Sequence, residues 1–104
     1  MDVVVLSKCE KEIADFPPEI IGEVLDCIAK LKVGLMPSMP LSRSMPSIAK
    51  SAHELRLKDR SGQYRVIYLI KKADAIYLVH AFKKKTRQTS QKNIETALQR
   101  IKSI

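Results

Sequence analysis

The chain has 104 residues, of which 45% are hydrophobic and 29% are charged, and its formal net charge is +8 at pH 7. This length predicts one domain over residues 1–104 with a core of its own, and the apolar fraction argues against wholesale disorder. The apolar run at residues 3–6 is too short for a secretory signal or a membrane span, so we expect a soluble, cytoplasmic protein.

The positive charge is concentrated in the second half of the chain. Residues 1–52 hold six basic and seven acidic residues, whereas residues 53–104 hold thirteen basic and four acidic ones. A neutral half joined to a strongly basic half predicts a surface that attracts a polyanion. Nucleic acid is the leading candidate, ahead of a membrane surface or a merely well-charged exterior.

A short strand and a first helix are predicted at the start of the chain. The strand is Val3–Leu6, which is mostly β-branched. Ser7 and Glu10 have the spacing of a capping box, in which the serine side chain accepts from the backbone and the glutamate reaches back. Apolar residues then recur at helical spacing until Pro17–Pro18, which end this helix and begin a second.

The second helix is followed by an extended connection. The apolar residues of the helix fall on one face, and Gly34 is expected to cap its C-terminus. Three prolines and several serines within residues 35–52 predict the connection. Its apolar side chains are expected to pack on the core: Met36, Met39, Leu41 and Met45.

The next part of the chain predicts three strands. Glu54–Lys58 alternates, with leucines inward and charges outward. Tyr64–Ile70 and Ala75–Phe82 are rich in β-branched and aromatic residues on both faces, as in central strands. The segment Lys71–Asp74 is expected to turn the chain between them.

A last helix completes the predicted fold. Thr89 or Ser90 is expected to cap it, and its apolar residues share one face. The order is strand, two helices, connection, three strands and helix. This order predicts an α+β fold, in which a twisted antiparallel sheet carries an N-terminal helical hairpin and a C-terminal helix.

Few residues suit metal or nucleophilic chemistry. Cys9 and Cys27 lack C-x-x-C spacing and a neighbouring histidine, so we interpret them as reduced, buried thiols. His80 lies inside an apolar strand and is expected to be a satisfied core or edge histidine, whereas His53 is more open to solvent. Because the sequence holds no glycine-rich phosphate loop and no metal-binding motif, we expect no metal and no cofactor.

Basic side chains concentrate on and after the predicted sheet. Arg56 and Lys58 share one strand face with Glu54. Arg65 lies inside an apolar strand, where a guanidinium needs a partner or an open cleft. A run of cations ends the last strand: Lys83, Lys84, Lys85 and Arg87. The run alone is equally well a solvated strand end, but together these groups are suited to stabilise charge on a phosphodiester.

Three segments carry a resemblance to a known family. They are Glu54-Leu55-Arg56, Tyr64–Tyr68 and Phe82–Thr86. In this order and spacing they resemble the HigB/RelE toxin superfamily, most strongly its phage-derived, HigB-like branch, over residues 51–101. The resemblance implies a RelE-like fold. It also implies a small basic toxin that cuts mRNA in the ribosomal decoding site and is neutralised by an antitoxin, which we expect to be a small helix-turn-helix protein.

The resemblance also implies roles for individual residues. Arg65 corresponds to the arginine that contacts and activates the scissile phosphate, with Arg56 and Lys84 as the other catalytic residues. The remaining basic positions are expected to bind RNA: His53, Lys58, Lys83, Lys85 and Arg87. Two departures stand out. Residues 88–91 lack the tyrosine or histidine of some relatives, and Glu54 stands where some have a lysine.

Three functions remain open from the sequence. The first is a ribosome-dependent, metal-independent endoribonuclease that leaves a 2′,3′-cyclic phosphate. The others are a non-catalytic RNA-binding module and an inactive toxin relative. The group that accepts the proton of the 2′-hydroxyl is unassigned, with His53, Glu54 or a lysine of depressed pKa as candidates.

Overall fold

The computed structural model describes residues 1–71 and 75–104, so the predicted turn Lys71–Asp74 falls mostly outside the described residues. The elements are β1 (Asp2–Val5), α1 (Ser7–Ala14), α2 (Pro18–Lys32), β2 (Ser42–Ser44), β3 (Ala52–Asp59), β4 (Gly62–Lys71), β5 (Ala75–Lys84) and α3 (Gln91–Ile101). The α+β class and the order of elements are confirmed. The one addition is β2, a three-residue strand inside the segment that the prolines predict as a connection.

The strands form one five-stranded sheet in the order β1-β5-β4-β3-β2. Each pair among β2, β3, β4 and β5 is antiparallel, as predicted, whereas β1 pairs parallel with β5. The direction of β1 differs because no hairpin links it to its neighbour. Two helices and three other strands lie between them in the sequence, so the direction of β1 depends on the path through the helical hairpin.

The two faces of the sheet bury separate cores. Helices α1 and α2 cover the first face, where the alternating Leu55 and Leu57 of β3 point. Helix α3 packs on the second face, against residues such as Ile67 and Val79. A fully buried aliphatic side chain stabilises a fold by about 1.5–3 kcal/mol relative to exposure. Helices cover both faces of β4 and β5, and this is why both faces of these strands are apolar.

The helix ends confirm two predictions and correct one. Gly34, at φ 82°, follows the end of α2, and its N–H donates to Leu31 O while the next N–H donates to Lys30 O, as in a Schellman cap. Ser90 caps α3 by accepting from the N–H of Asn93. The capping box at Ser7 is wrong. Helix α1 begins at Ser7 itself, and no side chain caps it.

The connection between α2 and β3 packs less on the core than expected. Met36, Met39 and Leu41 are 43%, 65% and 37% exposed, and only Met45 is buried, in the second core. The three exposed residues precede the edge strand β2, whereas Met45 follows it and returns to the sheet. No helix in the described part of the chain is long and apolar enough to cross a membrane.

Candidate nucleic-acid interface

The strand register brings the three predicted catalytic residues to one face of the sheet. Arg56 of β3 lies directly opposite Arg65 of β4, and Lys84 of β5 lies opposite Gln63 of β4. Directly opposed residues in antiparallel strands point their side chains to the same face. This is the second face, and it is open beyond the N-terminus of α3.

A cleft of about 380 Å³ lies at this open end, between β2, β3, the end of β5 and the segment that leads into α3. We call it the basic cleft. The polar residues that line it include Arg43, Glu54, Arg56, Lys84, Arg87 and Thr89. A neighbouring cleft of about 340 Å³ shares Arg56 and is lined also by Lys58, Gln63 and Arg65. The two clefts form one cationic surface because Arg56 belongs to both.

Arg65 is buried beneath this surface, with 4% of its side chain exposed. Its Nη1 donates to the backbone oxygen of Tyr64 at 3.2 Å, and its Nη2 donates to Gln63 Oε1 at 2.9 Å. Its Nε lies 3.4 Å from Glu54 Oε1, but it has no aligned hydrogen-bond acceptor within the described residues. The guanidinium is thus paired by charge and incompletely hydrogen-bonded, which is costly for a buried group.

The surroundings of Lys84 lower the pKa of its ammonium group. Burial lowers the pKa of Lys84 from its usual 10.5, and the positive charges of Arg65, Arg56 and Arg43 lower it further. The carboxylate of Glu54 opposes the shift but does not cancel it. Lys84 therefore gives up its proton more readily than an ordinary lysine does.

Residues 11–102 match the model of the family described as phage derived protein Gp49-like (DUF891). The chain belongs to the Gp49-like family. Its structure is similar to that of the E. coli toxin RelE, solved as an arginine-to-alanine double mutant in the free state. The TM-score is 0.66 at 12% identity, over 99% of this chain and 96% of that one. No curated protein sequence matches the chain significantly.

These findings confirm the resemblance to the phage-derived branch of the HigB/RelE superfamily and the RelE-like fold. At 12% identity the structural match carries the fold alone. The roles of individual residues in this Gp49-like chain therefore depend on where its own side chains lie.

Two of the predicted RNA-binding residues lie away from the basic cleft. Lys83 alternates with Lys84 along β5 and points to the first face, where its Nζ is 5.8 Å from the ring centre of Tyr64. His53 also lies on the first face and stacks on Tyr68, with ring centres 5.3 Å apart. This position removes His53 from the groups able to exchange a proton in the cleft. Strand alternation separates residues that are close in the sequence.

The remaining predicted positions lie nearer the cleft. Arg87 lines it, Lys58 lines the neighbouring cleft, and Lys85 is exposed just after the end of β5. Sequence reasoning missed Arg43, which enters from β2 opposite Glu54. It also missed Thr89, whose hydroxyl donates to Glu54 Oε2. The signal for Arg43 was a serine on either side of it, an alternation too short to suggest a strand.

A second polar cluster lies behind α3, and we call it the polar clamp. Both oxygens of Glu12, on α1, accept hydrogen bonds from Arg100 of α3, at 2.7 and 3.1 Å. His80 contacts Glu12 through Nδ1 and Asn93 through Nε2, so its prediction as a satisfied histidine is confirmed. The N–H of Ala81 donates to Glu12 as well, at 3.1 Å. The clamp ties α1, β5 and α3 together.

The cysteines are free and buried, as predicted. Burial raises the pKa of the Cys9 thiol to about 12, and it also raises that of Cys27. Because the thiolate is the reactive form, these are inert core residues at neutral pH. Among the described residues, no three His, Cys, Asp or Glu side chains cluster closely enough to hold a metal ion.

Proposed function

We propose that this chain is the toxin of a two-component toxin–antitoxin system and that it inhibits translation in the cytoplasm by cutting mRNA on the ribosome. The observation that carries the proposal is the convergence of four cations, Arg43, Arg56, Lys84 and Arg87, on one open cleft beside the buried Arg65. A cleft with this charge suits the phosphodiester backbone of RNA. Membership in the Gp49-like family and the RelE-like fold support the assignment.

The proposed reaction is an internal transesterification. The ribose 2′-oxygen attacks the adjacent phosphorus in line and passes its proton to solvent water, and the bond from phosphorus to the 5′-oxygen breaks. The products are a 2′,3′-cyclic phosphate and a 5′-hydroxyl. Arg65 and Lys84 stabilise the additional negative charge of the transition state, and Arg56 positions the backbone.

Lys84 is suited to a second task, protonation of the departing 5′-oxygen. Its lowered pKa makes the ammonium a stronger acid than an ordinary lysine. Arg43 and Arg87 also line the cleft and bind the flanking phosphates in this scheme. In this scheme the ribosome holds the mRNA in the reactive geometry, since the open cleft does not enclose it.

The test uses the purified chain and mRNA on programmed ribosomes. We expect cleavage at discrete positions, with 5′-hydroxyl and cyclic-phosphate ends, and no comparable cleavage of the same RNA without ribosomes. A control variant, Lys11→Ala, removes one exposed charge on α1, away from the cleft, and is expected to cut normally. Equal cleavage of free RNA, or products with a 5′-phosphate, would contradict the proposed reaction.

The antitoxin is the second part of the proposal. Expression of the chain alone is expected to stop bacterial growth, and co-expression of the neighbouring gene product, a small helix-turn-helix protein, is expected to restore it and to yield a complex. We expect that complex to bind operator DNA through the antitoxin. If the neighbouring product neither co-purifies with the chain nor restores growth, the toxin–antitoxin assignment loses its main support.

A non-catalytic RNA-binding module is the second candidate. The observations that favour it are the burial of Arg65 and the lack of a tyrosine or histidine at residues 88–91. Such a module would bind RNA with an affinity that falls steeply with salt concentration and would leave the RNA intact. Mapping of RNA ends on programmed ribosomes separates the two candidates.

A further inference from the structure

Glu54 is the one carboxylate that lines the basic cleft among the described residues. It is 3% exposed and lies on the central strand of the site, β3. Cations face it from every element around it: Arg43 on β2, Arg56 on its own strand, Arg65 on β4, Lys84 on β5, and Arg87 in the segment before α3. A single buried anion among five cations is unusual enough to require an explanation.

Each oxygen of the Glu54 carboxylate has its own partner. Oε1 lies 3.4 Å from Arg65 Nε, and Oε2 accepts the hydroxyl hydrogen of Thr89. The first contact fixes the central guanidinium of the site. The second fixes the segment that carries Arg87, because Thr89 is two residues further along. Glu54 is therefore the point at which the sheet and the loop of the cleft are joined.

These contacts argue against Glu54 as the group that takes the proton of the 2′-hydroxyl. A general base needs a lone pair within hydrogen-bond reach of the substrate. Both oxygens of Glu54 are engaged within the protein, since one is directed at Arg65 and the other accepts from Thr89. The negative charge of Glu54 would also repel a nearby phosphate. Both its contacts and its charge therefore disfavour a position next to the substrate.

We infer that Glu54 is a positioning residue, which holds Arg65 through one carboxylate oxygen and the loop of Arg87, through Thr89, by the other. This inference rests on the proposed function for its kinetic part. Arg65 Nε is buried and has no aligned hydrogen bond within the described residues, so Glu54 holds the guanidinium by charge at 3.4 Å. Glu54 thus keeps the cations assembled before substrate binds, at the expense of some repulsion toward the substrate itself.

This role predicts opposite changes in binding and rate for Glu54→Gln. Loss of the negative charge is expected to tighten RNA binding, with KM for programmed ribosomes falling roughly threefold or more. Loss of the charge contact that positions Arg65 is expected to lower kcat by up to about 10². The acidic limb of the pH–rate profile is expected to persist. A fall in kcat with unchanged KM and loss of the acidic limb would identify Glu54 as the base and overturn the inference.

Thr89 supplies a matched pair of variants that act on Arg65 only through Glu54, because the Thr89 hydroxyl helps to fix the carboxylate that faces Arg65. Thr89→Val removes the hydroxyl with little change in shape, whereas Thr89→Ser keeps it. The readout independent of activity is the NMR signal of the Arg65 Nε–H proton, which buried pairing protects from exchange with water. We expect faster exchange and a lower kcat in the valine variant, and near-normal values in the serine variant.

The two Thr89 variants still test the inference when Glu54→Gln does not fold or when the chain cuts no mRNA. If Glu54→Gln does not fold, the valine and serine variants decide the inference. If the unaltered chain cuts no mRNA, the proposed function fails, but the Arg65 exchange rates still report whether Thr89 and Glu54 position the guanidinium. Equal Arg65 exchange in the valine variant and the unaltered chain would overturn the inference.

Discussion

Glu12 is partly exposed and Glu54 is buried, and each faces an arginine in different surroundings. Glu12 accepts hydrogen bonds from two nitrogens of Arg100, from the N–H of Ala81 and from His80. Within the described part of the chain, Glu54 accepts one hydrogen bond, from Thr89, and meets Arg65 only through charge at 3.4 Å. The carboxylate in the polar clamp is satisfied within the protein, whereas the one in the basic cleft is not.

The difference follows from what lies next to each carboxylate, which is a free strand edge at Glu12 and a group of cations at Glu54. Strand β1 pairs with β5 only as far as Val5 and Leu78, so the edge of β5 is uncovered beyond that point. There Glu12 takes the place of a strand carbonyl by accepting from Ala81. In the basic cleft the cations around Glu54 outnumber it, so the site carries a net positive charge. Complete hydrogen bonding is typical of structural clusters, and incomplete bonding of sites that bind a ligand.

The largest effect is expected from Arg65→Ala. Loss of a main charge stabiliser typically lowers a rate by about 10²–10³. We expect cleavage on programmed ribosomes to fall by this factor and growth arrest to be relieved, while the variant remains folded. A folded, soluble Arg65→Ala chain that stays as toxic as the unaltered one would remove Arg65 from the mechanism.

Arg100→Ala is expected to lower stability and to leave cleavage nearly unchanged, which is the reverse of Arg65→Ala. It removes both Arg100 hydrogen bonds to Glu12 and the one to the carbonyl of Val79, and is expected to lower the free energy of unfolding by about 2–3 kcal/mol. Cleavage per folded molecule is expected to be close to normal at low temperature. Urea unfolding and activity measured on the same samples check this. A large loss of activity without a loss of stability would place the clamp in the reaction.

A smaller effect is expected from Lys84→Arg. The pKa of Lys84 is lowered by burial and by neighbouring cations, so activity that needs its ammonium is lost as pH rises through that lowered value. Arginine stays protonated throughout this range. The alkaline limb of the pH–rate profile is therefore expected to move to higher pH, and kcat at neutral pH is expected to fall by about 10² because arginine is a weaker acid than lysine. An unmoved alkaline limb would assign the titration to another group.

The smallest effect concerns acid stability and Glu12. Burial by itself raises the pKa of Glu12, but hydrogen bonds from Arg100, Ala81 and His80 outweigh burial and bring the pKa below its usual 4.5. The stability from these bonds is present above pH 4.5 and is lost as pH falls through the lowered pKa. We expect Glu12→Gln to be less stable at neutral pH and to lose less stability on acidification. Parallel unfolding curves from pH 3 to 7 would contradict this expectation.

The site was only partly predictable, and the two sides of β5 show why. Period-two alternation, applied to residues 82–85, separates Lys83 from Lys84, yet the resemblance alone treated the lysines as one run. The partners of His80 were beyond prediction, because Glu12 is 68 residues away and lies on another element. Arg43 was missed because a three-residue strand has too few residues to show a pattern.

The sequence by itself determined the order of the main elements, the buried cysteines, the glycine and serine caps and the basic second half, because these depend on neighbours within a few residues. Tertiary structure alone decided the parallel direction of β1, the entry of Arg43, and the exposure of the methionines before β2. It also decided which cations surround Glu54 and which residues surround Glu12. These features depend on strand register and helix docking, in which groups far apart in the chain meet only after the sheet has formed.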